Sequence, residues 1–205
     1  MVPEFRFAAP EDAPAILSVL KSNRTRASLL HDRTPIPSLA QSKLKIREIS
    51  REYPFLLCFY GETLLGYAYA CPGVKGATID RDVSFFVSTA RPYADCKVAV
   101  SLSTALFALL RAQHVQRVFA QIKAPNPKAE QLLIHFGFGI SSHFFGGTCM
   151  CGQKHETMWF DKWIAPYDRQ PPPVLSIREI SPQAVSEAFA LGYRCLDLEE
   201  LEFCF

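Results

Sequence analysis

Three side chains in this sequence are suited to taking up and releasing protons: Asp82, His155 and Glu156. Asp82 opens an apolar run, where it serves either as a general base, directly or through a water molecule, or as a solvated charge at a strand end. His155 is a candidate base or substrate contact, although a histidine in a loop is also often structural. Glu156 follows it directly, so it either contacts the substrate or orients the imidazole. The sequence leaves these alternatives open.

A metal centre is the competing interpretation of the same region. Cys149 and Cys151 precede His155 in the spacing C-x-C-x-x-x-H. That spacing is not typical of zinc sites, and no fourth ligand stands nearby. We therefore predict no metal site.

A second kind of chemistry is indicated by the stretch "VSTARPYADCKVAV", which runs from Val87 to Val100. It joins a predicted strand to a predicted helix, and helix N-terminal amides at such turns commonly bind phosphate. Turns of this kind usually contain glycine, which lets the backbone approach the ligand. This turn contains none.

The elements that must position these residues are short strands and amphipathic helices. Leucines and other apolar residues of "VAVSLSTALFALL" recur at helical spacing, and "PFLLCFY" with "GETLLGYAYAC" forms a hairpin turning at Gly61 and Glu62. Residues 22–44 contain many polar groups and prolines, and we assign them to a loop that leaves open whether a helix lies within it. The order is strand, helix, loop, three strands, helix, strand, helix, two strands. It predicts an α+β fold, with a mixed, mostly antiparallel central sheet flanked by helices.

Composition narrows the class of protein. Among 205 residues the net charge is only +2, and the basic residues are scattered, which argues against nucleic acid or a membrane as partner. Seven unpatterned cysteines and a proline-containing, acidic N-terminus argue against secretion. We expect a cytoplasmic protein with a small-molecule substrate, and a homodimer remains open.

The chain divides into three parts. Residues 1–164 form the predicted domain, and the proline-rich residues 165–173 form a linker. Residues 174–205, with a helix start at Ser181 and Pro182, are too few to fold alone. We expect this extension to pack on the domain or on a partner.

Four stretches together resemble the GNAT superfamily of acyl-CoA-dependent N-acetyltransferases, nearest to the phosphinothricin acetyltransferase group. They are "FRFAAPEDAPAILSVL", "DVSFFV", "NPKAEQLLIHFGF" and "CGQKHETMWF", and they occur in the family's order. The resemblance covers about residues 4 to 164. It implies the GNAT fold and acetyl-CoA as cofactor.

The resemblance also implies where the cofactor binds. The pantetheine arm pairs with the central strand like an added strand, so two middle strands should separate beside Val87. The pyrophosphate lies on the turn that includes Lys97, and Asn126 at the start of the late helix is the third cofactor-binding candidate. Asn126 is also expected to cap that helix.

Catalytic roles follow from the same resemblance. Asp82 occupies the place of the base on the central strand, and His155 is the second catalytic candidate. Glu156 and Phe145 are the substrate-binding candidates. We expect one or two of the aromatic residues of the closing strands to line a pocket and the rest to be core, namely Phe144, Phe145, Trp159, Phe160 and Trp163.

The sequence departs from the family at the phosphate turn and at the late helix. The family loop is Q/R-x-x-G-x-G/A, whereas this chain has "RPYADCK", in which Asp95 could cap the helix and side chains replace the glycines. Ala129 and Leu133 stand where the family often has serine and tyrosine or histidine. Losing two or three amide contacts to a phosphate weakens binding by on the order of a hundredfold or more.

Three hypotheses therefore stand at the level of sequence. The first is an acetyl-CoA-dependent N-acetyltransferase acting on a small amine or amino-acid-like substrate. The second is an enzyme of this fold that has lost acetyl-CoA and catalyses another reaction on an apolar small molecule in a biosynthetic pathway. The third is a non-catalytic binding protein that uses its C-terminal extension for assembly.

Overall fold

The computed structural model describes residues 3–27, 36–73, 82–94, 97–148, 154–168, 170 and 172–203, with side chains described for all of these but 24–27, 144–148, 154–155 and 203. Seven strands form one sheet: β1 Pro3–Phe7, β2 Phe55–Tyr60, β3 Thr63–Pro72, β4 Asp82–Thr89, β5 Arg117–Ala124, β6 Gly139–Thr148 and β7 Lys154–Trp163. The helices are α1 Ala13–Ala27, α2 Leu39–Glu52, α3 Val98–Ala112, α4 Pro127–His135, α5 Pro182–Tyr193 and α6 Leu198–Phe203.

The strand order across the sheet is β1-β2-β3-β4-β5-β7-β6. All neighbours are antiparallel except β4 and β5, which are parallel. The predicted fold class, an α+β protein with a mostly antiparallel sheet flanked by helices, is confirmed. No helix in the described ranges has the length and apolarity needed to cross a bilayer.

The middle of the sheet opens where β4 leaves β5. The two strands pair only at their starts, and their last pair is Ser84 with Phe119. Beyond it, β4 continues to Thr89 paired with β3, and β5 continues to Ala124 paired with β7. The facing edges of β4 and β5 thus separate beside Val87, as predicted.

Two apolar layers hold the sheet between its helices. On one face, Val83 and Phe85 of β4 pack with the leucines of α3, and Leu102, Leu106, Leu109 and Leu110 have no exposed surface. On the other face, Tyr67 and Tyr69 of β3 pack with residues of α1 and α2. Because side chains alternate along β4, its residues serve both layers.

Helix α2 begins at Leu39, inside the segment 22–44 for which the sequence indicated a loop and left a helix open. Ser38 accepts a hydrogen bond from the Gln41 amide at 3.2 Å, and the Gln41 side chain accepts one from the Ser38 amide at 2.7 Å. This reciprocal cap starts the helix. Ile46 and Ile49, three residues apart on one face of α2, are buried. The capping signal lies in the sequence, but polar residues and prolines around it obscured it.

The C-terminal segment packs on α3 and on the edge strand β1. The Tyr193 ring stacks on Phe5 with ring centroids 4.5 Å apart, and its hydroxyl accepts a hydrogen bond from the Phe5 amide at 2.7 Å. Ser101 donates to the Gly192 carbonyl at 2.6 Å. Ser181 caps α5 by accepting from the Ala184 amide, which confirms the predicted helix start.

Candidate functional site

The turn before α3 differs from the sequence expectation in where its side chains go. Arg91–Tyr93 forms a single 3₁₀ turn. The Tyr93 side chain is 8% exposed and belongs to the apolar core, so it does not fill the space that glycines would leave. Replacement of the family's glycines by side chains in the rest of the turn stays a prediction, because Asp95 and Cys96 lie outside the described residues.

Lys97 occupies the position immediately before α3, with a left-handed backbone at φ 55°. It takes the N-cap position expected for Asp95, which itself lies outside the described residues. Its side chain makes no capping hydrogen bond, and the first backbone bond into the helix runs from the Ser101 amide to the Lys97 carbonyl. The first-turn amides of α3 point out of the helix without an intrahelical acceptor, which is the arrangement that binds anions.

An acid from the C-terminal segment faces this turn. Asp197 Oδ2 lies 2.9 Å from Lys97 Nζ. The hydrogen bond to Asp197 raises the pKa of Lys97, and the same bond lowers the pKa of Asp197. The phosphate-binding candidate Lys97 is thus already paired with a carboxylate.

The late helix has the predicted start. Asn126 caps α4 by accepting from the Ala129 amide at 3.2 Å, and Pro127 takes the first helical position. Gly137 has φ 74° and ends the helix, a conformation that glycine adopts without strain. Capping is the role of Asn126 that the structure describes, and contact with a cofactor stays a prediction.

Asp82 lies at the closed end of the opening between β4 and β5. It pairs with Arg117 across the two strands, and Arg117 Nε binds Asp161 Oδ2 at 2.9 Å. Burial raises the pKa of Asp82 above its ordinary value; the charge of Arg117 opposes this shift and that of Asp161 adds to it. A carboxylate with a raised pKa is well suited to accept a proton.

The other candidates lie at the far end of β5. Glu156 pairs with Ala124, the last residue of β5, whereas Asp82 pairs with Arg117, the first. At about 3.3 Å per residue these ends are about 23 Å apart. His155 precedes Glu156 in β7, so its backbone lies at the far end of β5 from Asp82, and its catalytic role stays a prediction.

The side chains of His155 and Phe145 lie outside the described set. Glu156 is exposed, and its Oε2 lies 3.5 Å from Nε2 of His143, a histidine that the sequence analysis did not single out. Of the five aromatic residues of the closing strands, Trp163 is 47% exposed and Phe160 is buried, which is compatible with the expectation that most but not all of them are core. No group of three metal-ligating side chains occurs in the described ranges, and Cys149 and Cys151 are not among them.

One group of residues was missed because α2 was missed. Lys45 Nζ lies 2.6 Å from the hydroxyl of Tyr69 on β3 and 5.8 Å from the ring centre of Phe86 on β4. The rings of Tyr69 and Phe86 stack with centroids 4.8 Å apart. The only sequence signal was the apolar alternation of the two strands, which places these rings on one face.

A protein-family model matches most of the chain. Residues 5–159 match the family model described as an acetyltransferase (GNAT) domain. No curated protein matches the chain.

Solved structures share the fold at low sequence identity. A GNAT superfamily phosphinothricin acetyltransferase from Sinorhizobium meliloti, in complex with AcCoA, is 20% identical, with 89% of this chain and 97% of that chain covered and a TM-score of 0.70. The putative acetyltransferase yncA from Salmonella typhimurium, with its cofactor acetyl-CoA, is 15% identical, with coverage of 83% and 98% and a TM-score of 0.71. A ribosomal-protein-alanine N-acetyltransferase from Brucella melitensis is 19% identical, with coverage of 78% and 99% and a TM-score of 0.71. With most of its length matched by the family model, this chain belongs to the GNAT acetyltransferase family and is an N-acyltransferase.

Proposed function

We propose that this enzyme transfers an acetyl group from acetyl-CoA to the amine of a small, amino-acid-like molecule. The observation that carries the proposal is the separation of β4 from β5 beside α3, whose N-cap residue Lys97 makes no capping hydrogen bond with its side chain. This arrangement offers a free strand edge and an anion-binding helix start next to each other.

Two described features of the turn support this cofactor. Lys97 holds the left-handed position that a glycine usually takes, and Tyr93 leaves the turn for the core. Val87, Lys97 and Asn126, with the first-turn amides of α3, would hold the cofactor. When bound, acetyl-CoA supplies an acetyl group activated as a thioester.

In this proposal Asp82 acts as the general base. The nucleophile must be the neutral amine, and most small aliphatic amines are protonated near neutral pH, so a proton must leave first. The Asp82 carboxylate accepts that proton at Oδ, directly or through water, and its raised pKa improves its basicity. The neighbouring ion pair of Arg117 and Asp161 has opposing effects on the pKa of Asp82, since Arg117 lowers it and Asp161 raises it.

Calorimetric titration with acetyl-CoA tests the proposal. We expect binding in the micromolar range, weakened by Lys97→Ala and unchanged by Lys43→Ala, a matched change at an exposed residue of α2. A panel of amino acids, with released thiol as the readout, then identifies the acceptor. Absence of binding at millimolar acetyl-CoA would contradict the proposal.

A further inference from the structure

Lys45 reaches from the surface into the apolar layer between α2 and the sheet. The residue as a whole is exposed, whereas its amino group bonds to the hydroxyl of Tyr69, whose side chain is 7% exposed. Its ammonium also lies 4.6 Å from the Tyr69 ring centre. The charged end of the side chain is therefore directed away from bulk water.

No negative charge balances this ammonium within the described part of the chain. Burial lowers the pKa of Lys45, with a smaller opposing influence from Cys71. Burial also raises the pKa of Tyr69 and that of Cys71, so both neighbours are neutral near pH 7. A partly desolvated cation without a counter-charge is costly, and an ammonium has three donors, of which Tyr69 takes one.

The ammonium lies where the sheet opens. Phe86 follows Ser84, the last β4 residue paired with β5, and it lies on the same face of the strand. Tyr69 pairs with Phe86 across β3 and β4. Phe86 is 39% exposed, so its ring, 5.8 Å from Lys45 Nζ, lines an accessible surface beside the start of the opening.

This surface lies on the face of the sheet opposite α3. The helix start proposed to hold the acyl donor's phosphates belongs to the α3 face, so the acceptor approaches from the α2 face. There it meets a cation, a phenol and an aromatic ring. An anionic group of the acceptor would pair with this cation, which the phenol orients, and a short apolar part would pack on the aromatic ring. An amine that carries both groups therefore matches this surface.

We propose that Lys45 binds the carboxylate of the acceptor, with Tyr69 orienting the ammonium and Phe86 packing against the acceptor's apolar carbons. This inference rests on the proposed acetyl transfer and narrows its substrate class to amines that carry a carboxylate. Lys45 is a specificity-determining residue in this view and takes no part in proton transfer.

The kinetic test compares α-amino acids with their carboxamides, which keep the size and the amine but lack the charge. Lys45→Met should raise KM for the amino acids by about 10- to 100-fold, since a charge-assisted bond contributes at that level. It should leave kcat and the KM for the carboxamides nearly unchanged. Lys45→Arg should recover most of the loss, and Lys43→Met, on an exposed part of α2, should behave like the wild type.

Direct titration of the wild type and Lys45→Met with the same amino acids separates this inference from the proposed function. Binding that Lys45→Met loses and Lys43→Met keeps supports the carboxylate site even in an enzyme that does not bind acetyl-CoA. Equal losses for amino acids and carboxamides, or no amino-acid binding by the wild type, would overturn it.

Discussion

Lys97 Nζ lies 2.9 Å from Asp197 Oδ2, so a residue of the C-terminal segment holds the lysine at the start of α3. The two residues are far apart in sequence: Lys97 directly precedes α3, and Asp197 directly precedes α6. Asp197 Oδ1 also accepts from the Glu200 amide at 3.4 Å, which fixes the carboxylate in place. In the proposed complex with acetyl-CoA, a phosphate and Asp197 would therefore compete for the Lys97 ammonium.

This competition predicts that Asp197→Asn tightens acetyl-CoA binding. The pair is exposed, so we expect a modest effect, about threefold, that fades as salt is added. Calorimetry at low and high ionic strength measures it. Glu187→Gln, an exposed charge change on α5, is the matched control, and weaker binding by Asp197→Asn would refute the competition.

The base assignment predicts that Asp82→Asn lowers kcat by about 10²- to 10⁴-fold while acetyl-CoA still binds. A second variant tests the electrostatics. Since the Asp161 charge raises the pKa of Asp82, and Arg117 lowers it, Asp161→Asn should move the acidic limb of the kcat/KM profile to lower pH. An unchanged limb in Asp161→Asn, or full activity in Asp82→Asn, would exclude Asp82 as the base.

The contact between α5 and the sheet predicts that Gly192→Ala destabilises the fold by about 1–2 kcal/mol. A Cβ there would lie 2.5 Å from Phe5 Cε2 and 3.0 Å from the Ser101 carbonyl, and such overpacking outweighs alanine's better helix propensity. Gly139→Ala is the control, because a Cβ at that position meets no atom within 4 Å. Denaturant unfolding measures both, and equal stability would show that α5 is loosely attached.

The Arg6–Asp12 pair predicts a pH-dependent contribution to stability. Burial alone would raise the pKa of Asp12, but the hydrogen bonds from Arg6, at 2.6 and 2.7 Å, and from the Ala9 amide lower it overall. A lowered pKa in the folded state stabilises above the unfolded value, about 3.9, and this contribution is lost as the pH falls through the folded value. Asp12→Asn should cost about 1–2 kcal/mol at neutral pH, and less at pH 3.

Unfolding curves of Asp12→Asn and of the wild type between pH 3 and pH 7 check this sign. The exposed neighbour Glu11 provides the control Glu11→Gln. A deficit that grows toward acid would contradict the lowered pKa.

The strands and the leucine-rich helix were predictable because each carries a strong local pattern. Val98, Leu102 and Leu106 recur at helical spacing, and all are fully buried in α3. Gly61 and Glu62 form the hairpin turn between β2 and β3, as the spacing indicated. These features depend on residues close in sequence.

The site was only partly predictable because its geometry is set by pairing between distant strands. Asp82 and His155 were each candidates by residue type, but the sequence did not give the distance between their strand positions, which the register along β5 sets. The sequence of the turn likewise did not show that the Tyr93 ring packs in the apolar core. Lys45 belongs to no sequence motif. Its candidate role depends on its contact with Tyr69 and on the pairing of Tyr69 with Phe86 across β3 and β4.

The divergence of β4 and β5 also bears on how the folded state responds to its ligands. Among the described residues, no strand pairs across the opening with β4 beyond Ser84 or with β5 beyond Phe119, so their backbone groups there depend on water in the protein without ligand. A ligand that satisfies them binds the native state and not the unfolded chain, and stability then rises with its concentration as RT ln(1 + [L]/Kd). The melting temperature of this enzyme should accordingly report how full its cleft is, even before any acceptor for catalysis is found.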